Sequence, residues 1–334
     1  MKKVELVCPA GSFPALRAAV DNGADAVYMG FRDATNARNF PGLNFDERAA
    51  RKGIDYARAR GAKVLLALNT YPQPGAWQTW TRAVDMAADL GVDALIVADI
   101  GLLDYAARTH PGLRLHLSVQ GSATSHEAIA FYEKQFDIRR VVLPRVLSLP
   151  QVKRVVDNIN AEVEVFGFGS LCVMVEGRCV LSSYVTGESP NTCGACSPAK
   201  SVRWEEDADG RRSRLNGVLI DVYKPGESAG YPTLCKGRFE VNGEVGYAME
   251  EPTSLSVLNM LPSLFEVGVS AVKVEGRQRS PAYVAQVTKV LRQALDACHA
   301  DPAGFAPRPE WVGELDRVAE GRTHTLGALD RAWQ

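Results

Sequence analysis

The tightest constraint on the fold is a unit that recurs three times: "NGADAVYMG" at 22–30, "LGVDALIVAD" at 90–99 and "VGVSAVKVEG" at 267–276. Each has a glycine, then a small or acidic residue, then an apolar run. A helix that ends on a C′ glycine and feeds a buried parallel strand is written this way. Its recurrence implies repeated βα architecture. Short apolar runs between these units place strands near 4–8, 25–29, 63–68, 93–97, 114–119, 139–143, 162–168 and 270–274. Helical patterns fall at about 13–21, 46–60, 77–90, 101–109, 125–135, 149–158, 254–267 and 280–298. Eight strands alternating with eight helices predict a TIM-type (βα)8 barrel, closed or slightly irregular. An open doubly wound sheet would use fewer strands.

One connection breaks the pattern. Residues 170–252 follow strand seven, against the roughly 2–6 residues of a usual βα loop. "GVLIDVY" and "GRFEVNGEVGYAME" within them are strand-like, so a small subdomain over the barrel mouth is expected. The predicted organisation is barrel over 1–169, Cys-rich insertion over 170–252, barrel completion over 253–300, and a C-terminal extension, 301–334, packed on the outside. The run "EEDADGRRSR" at 205–214 reads as a solvated turn between strands.

Charge narrows the function. Lys plus Arg number 38 against 39 Asp plus Glu, a formal net charge of -1. An extended nucleic-acid surface normally needs a basic excess, so no nucleic-acid partner is expected. The most apolar window, "DALIVADIGLLDYAA", carries three aspartates and falls short of the roughly 20 apolar residues of a membrane span. Glu5 and Pro9 interrupt the N-terminal apolar run too early for a signal peptide. A cytoplasmic chain with reduced thiols is expected, without membrane insertion.

Five of the seven cysteines, Cys172, Cys179, Cys193, Cys196 and Cys235, fall inside the insertion, and no histidine lies between residues 127 and 298. A site there would be all-thiolate, which suits an Fe–S cluster or structural zinc. Zinc ribbons use two tight knuckles, whereas here the first pair is widely spaced and Cys235 is isolated. Plain buried thiols are the bland alternative. Glycines within the segment would let backbone approach sulfide and donate N–H bonds to it. Cys172 follows strand seven by a few residues, at the end of the barrel where such folds place their chemistry.

Polar residues also follow successive strands: Asn36, Arg38, Asn69, Asp99, Gln120, Arg145, Lys273, Glu275 and Arg277. In a barrel these converge on one face, and the arginines suit a carboxylate-bearing molecule through forked contacts. Arg145 and Arg277 are expected to line the mouth for an anionic co-substrate. Other signals carry less. "GESAG" at 226–230 has the nucleophile-elbow pattern, but Pro225 and Pro232 leave no helix after Ser228. "HEAIA" at 126–130 lacks the second histidine of a zinc-protease helix. Cys298 lies on an apolar helical stripe, and Cys8 ends strand one as a small buried thiol. No peptidase machinery can be assembled.

"EVFGFGSLCVMVEGRCVLS" at 164–182 resembles the signature of the unclassified-peptidase family once described as collagenase-like proteases. "CPAGSFPALRAAVDNGADAVYMG", "TNARNFPGLNF", "LSSYVTGESPNTCGACSP", "AGYPTLCKGR" and "VKVEGRQRSPAY" extend the likeness to one branch, which serves oxygen-independent ubiquinone biosynthesis. The resemblance implies a 4Fe–4S cluster held by Cys172, Cys179, Cys196 and Cys235, with Cys193 spare. It further implies a heterodimer with a UbiV-like protein and hydroxylation of the aromatic ring of a ubiquinone precursor without dioxygen. Related members hydroxylate RNA and are thought to draw oxygen from prephenate, so a prephenate-like oxygen donor is a candidate partner. RNA-base hydroxylation and a scaffold with a structural cluster are the alternatives.

Overall fold

The computed structural model describes residues 3–192, 194–208 and 210–331. Eight parallel strands close into a barrel: β1 (Glu5–Pro9), β2 (Ala26–Met29), β3 (Lys63–Leu68), β4 (Ala94–Val97), β5 (Leu115–Leu117), β6 (Arg140–Val142), β7 (Glu162–Ser170) and β8 (Ala271–Val274). Closure comes from β8, which pairs with both β1 and β7. The sheath is α1 (Phe13–Asp21), α2 (Glu47–Arg58), α3 (Trp77–Leu90), α4 (Ile100–Thr109), α5 (His126–Phe136), α6 (Leu149–Val156), α7 (Leu261–Glu266) and α8 (Pro281–Ala300). The glycines of the three repeats, Gly23, Gly91 and Gly268, all have positive φ, the left-handed conformation that ends a helix before its strand.

Alternation along the strands builds two cores. Outward residues pack under the helices, and α8 alone buries Val284, Val287, Val290, Leu291 and Leu295, each worth roughly 1.5–3 kcal/mol. Cys8 and Cys298 belong to this outer layer. Cys8 accepts a hydrogen bond from Thr288 Oγ1 (3.2 Å), and burial pushes its thiol up to about 12, so it is an inert core group. Inward residues form a separate cluster that includes Val7, Tyr28, Leu65, Ala67 and Ile96.

Inside the barrel, the β6–β8 side is charged. Arg140 reaches Glu5 (2.6 Å), Glu162 (2.6 Å) and Glu164 (3.1 Å), and Lys273 reaches Glu164 (2.6 Å). Burial pushes the Glu5 carboxyl up, but hydrogen bonds from Lys63 and Arg140 outweigh it and leave the group below its ordinary 4.5. Glu275 behaves alike: burial raises it, and Arg38, Arg145 and Arg279 bring it below 4.5. A depressed carboxylate contributes stability that is fully present above its unfolded pKa and is lost as pH falls through its folded one. Denaturation midpoints should therefore decline only below about pH 4.5, more gently in Glu5→Gln. An identical acid slope in that variant would remove Glu5 from the account.

Three expectations are corrected. The segment 254–267 is not one helix: Ser254–Ser256 is a strand antiparallel to the end of β7, followed by a 3-10 turn and then α7. β7 outruns its neighbour β6, and the strand covers the exposed edge. The run 205–214 is not mainly a turn: strands Val202–Asp207 and Gly210–Leu215 pair through it, with Glu205–Arg214 and Glu206–Arg211 ion pairs across the ladder. A third strand (Val218–Tyr223) and a hairpin (Arg238–Val241, Glu244–Tyr247) complete the insertion's sheets. The C-terminal extension is only partly external. Helix α9 (Pro309–Asp316) packs on α8, but the chain then returns to the mouth, where His324–Thr325 adds a strand beside Ser254–Leu255.

Candidate functional site

The C-terminal ends of the barrel strands open into two joined compartments. The deeper, of about 70 Å³, lies in the barrel mouth and is lined by Tyr28, Asn69, Ser118, Lys273 and Arg277 among others. Above it is a chamber of about 690 Å³ between the mouth, the insertion and the returning tail. Arg38, Gln120, Arg145, Glu176, Glu275 and Gln278 line both, so they form the waist between them.

Loops at strand ends supply these groups. Arg277 donates to Asn36 Oδ1 (2.7 Å), which also accepts from the Arg38 backbone N–H (3.0 Å). Asn36 therefore stands behind the pocket and fixes the Arg277 guanidinium and the backbone that carries Arg38, while Asn69 accepts from the Ala37 N–H (3.0 Å) and steadies the same loop. Asp99 does not join the mouth. It caps α4 by accepting from the Leu102 N–H (2.9 Å).

Charge at the mouth is unevenly compensated. Arg145 pairs with Glu176 (2.7 Å), stacks over the Phe166 ring (4.2 Å) and donates to the Ser170 carbonyl. Lys273 is matched by Glu164. Arg38 instead donates to the Gly194 carbonyl, and Arg277 to the Asn36 amide oxygen. Burial pulls the Arg277 guanidinium down to about 10, and nearby Arg38 adds to the pull. Arg277 remains charged at neutral pH, and with Arg145 and Lys273 in ion pairs of their own, the Arg38 and Arg277 guanidiniums face the single carboxylate of Glu275, leaving the deep pocket electropositive.

Cys172, Cys179, Cys196 and Cys235 all line the upper chamber. Cys172 follows β7 directly and donates weakly to the Met174 carbonyl (3.4 Å). Burial, then the Glu176 charge, pushes its thiol up to about 12. Burial also raises Cys235 and Cys196, although Cys196 opens to the chamber. Burial thus favours the protonated thiol at Cys172, Cys196 and Cys235 until a cation displaces the proton. Among the described residues, no three His, Cys, Asp or Glu side chains gather tightly enough to hold a single metal ion. Cys193 lies outside the described residues.

The glycines of this segment approach the barrel. A Cβ on Gly194 would sit 0.9 Å from the Ala37 carbonyl oxygen, and one on Gly177 would sit 2.1 Å from that of Gln120. Both have positive φ, so glycine is needed where the insertion presses on the mouth loops. Sequence reasoning missed Tyr28, Glu176, Gln278 and the tail residues Arg317–Arg322. Glu176 had a signal, standing between two of the cysteines. The tail had none, because nothing local says where it returns.

The family model described as peptidase family U32 matches residues 11–330. The chain belongs to peptidase family U32. It is 31% identical over 326 residues to the tRNA hydroxylation protein P1 of Bacillus subtilis, covering 97% of this chain and 70% of that protein. It is 32% identical over 352 residues to the tRNA hydroxylation protein P of Escherichia coli, covering 99% and 75%. The 23S rRNA 5-hydroxycytidine C2501 synthase of E. coli is a third relative, 29% identical over 96% of this chain, which spans 42% of that protein. No helix of the U32 chain, among the described residues, is long and apolar enough to cross a membrane.

Proposed function

We propose that this chain is a UbiU-like, cluster-bearing subunit of an oxygen-independent hydroxylase that acts on the aromatic ring of a ubiquinone precursor with a UbiV-like partner. The observation that carries the reading is the continuity of a four-thiol chamber with an electropositive pocket at the barrel mouth. Cys172, Cys179, Cys196 and Cys235 would hold a 4Fe–4S cluster. Four thiols lining one chamber whose described lining holds no histidine suit the all-thiolate ligation of such a cluster. Such a cluster supplies one-electron transfer when bound.

The chain's own groups then bind and orient. Arg38 and Arg277, two guanidiniums outside any ion pair with Glu275 as the carboxylate acting on both, suit the carboxylate of an oxygen donor, a prephenate-like acid being the candidate the family implies. At the waist, Glu176 Oε2 and Gln120 Oε1 are buried acceptors with no hydrogen-bond partner. Buried acceptors need donors, and a phenolic ring hydroxyl supplies one. Peptidase chemistry has less support: among the described residues, no histidine lines either compartment to serve Ser228 or a thiol as base.

The relatives named for tRNA and rRNA hydroxylation favour a second reading, hydroxylation of an RNA base. The even charge weighs against it. Anaerobic cells lacking the protein decide the matter. Ubiquinone should fall and an under-hydroxylated ring precursor accumulate. Unchanged quinone together with a lost hydroxylated nucleoside would sink the first reading and favour the second.

A further inference from the structure

The chain's returning tail is fastened into the chamber wall by a buried ion pair. Lys236, the residue after Cys235, places Nζ 2.6 Å from Glu320 Oε2, and the two side chains are 2% and 9% exposed. Lys236 also donates to the Thr253 carbonyl (3.1 Å) and to Ser170 Oγ (3.4 Å), and Ser170 Oγ donates to Glu320 Oε2 (3.3 Å). The Glu320 N–H donates to Ser254 Oγ (2.8 Å). Four segments thus meet at one point: the end of β7, the Cys235 turn, the strand at 254–256 and the tail. Gly321 makes the turn possible, with positive φ and a missing Cβ that would lie 2.1 Å from the Pro252 carbonyl oxygen.

We infer that the Lys236–Glu320 pair is a positioning and charge-setting device for the thiol chamber, seating the Cys235 turn while cancelling the charge beside it. The ammonium also donates to Thr253 and Ser170, so the turn keeps two anchors when the carboxylate is neutralised. The carboxylate, brought from a segment 84 residues away, adds neutrality. Charges in a dry site are weakly screened, so an uncancelled one acts strongly on any redox group nearby. Net charge around an iron–sulfur cluster is one determinant of its potential. A positive neighbour favours the reduced form and raises the potential, and a negative neighbour lowers it.

The inference rests on the cluster reading, and the test separates the two. Wild type, Glu320→Gln, Lys236→Met and the double variant are purified anaerobically, assayed for iron and sulfide, and titrated by electron paramagnetic resonance. Glu320→Gln, which keeps the shape and leaves the ammonium unpaired, should shift the midpoint potential upward. Lys236→Met, which leaves the carboxylate unpaired, should shift it downward. The double variant should return close to wild type, an outcome that mere loosening of the turn would not produce. Loaded clusters whose potentials do not move, or move the same way in both single variants, would overturn the inference alone. Wild-type protein without iron and sulfide would overturn the cluster reading and this inference with it.

Discussion

Replacing any one of Cys172, Cys179, Cys196 or Cys235 by alanine should abolish the broad absorbance at ~400 nm that thiolate-ligated iron–sulfur clusters show. Iron and sulfide should fall from about four each per chain toward zero. The four thiols share one chamber, and each would serve a different iron, so none can substitute for another. Cys193→Ala should keep its colour and its iron, since four irons leave a fifth thiol no place. Because metal binding contributes to folding, losing a ligand should loosen 170–250 more than the barrel, which faster proteolysis confined to that segment would report. Stoichiometric zinc without sulfide, or a Cys193 variant as colourless as Cys196→Ala, would overturn the assignment.

The second large effect concerns the barrel floor. Arg140 is 4% exposed and serves Glu5, Glu162 and Glu164 together. Arg140→Met keeps much of the volume but removes the donor the three carboxylates share, leaving Glu5 with Lys63, Glu162 with Arg114 and Glu164 with Lys273. Removing one partner of a buried ion pair costs about 3–5 kcal/mol. That is a large fraction of the roughly 5–15 kcal/mol that holds a domain folded. Denaturant midpoints near neutral pH should fall accordingly. A loss under about 1 kcal/mol would show that Lys63, Arg114 and Lys273 suffice for the three carboxylates and that the network is not cooperative.

Much of this molecule was legible from local pattern. The strands were found within one or two residues because a buried parallel strand is a short apolar run and the glycine before it marks a helix end, as at Gly23, Gly91 and Gly268. The polar residues after the strands could be grouped because a closed barrel brings every strand end to one rim. Seven of the nine strand-end residues line the compartments, Asn36 supports them from behind, and Asp99 caps α4 instead.

What failed was whatever depended on partners distant in the chain. Ser254–Ser256 becomes a strand because β7 outruns β6, a mismatch that nothing in 254–256 records. The glutamates of "EVEVFGFG" sit inside the barrel because Arg140 and Lys273 are there to meet them. Glu320 looks like one more surface acid until the tail carries it to Lys236. By itself the sequence determined the repeating unit, the cysteine supply and the residues available at the rim, because these follow from periodicity and spacing. Only the tertiary structure decided which charges cancel, which acceptors are left without donors and which segments close the chamber, because those depend on distances between residues far apart along the chain.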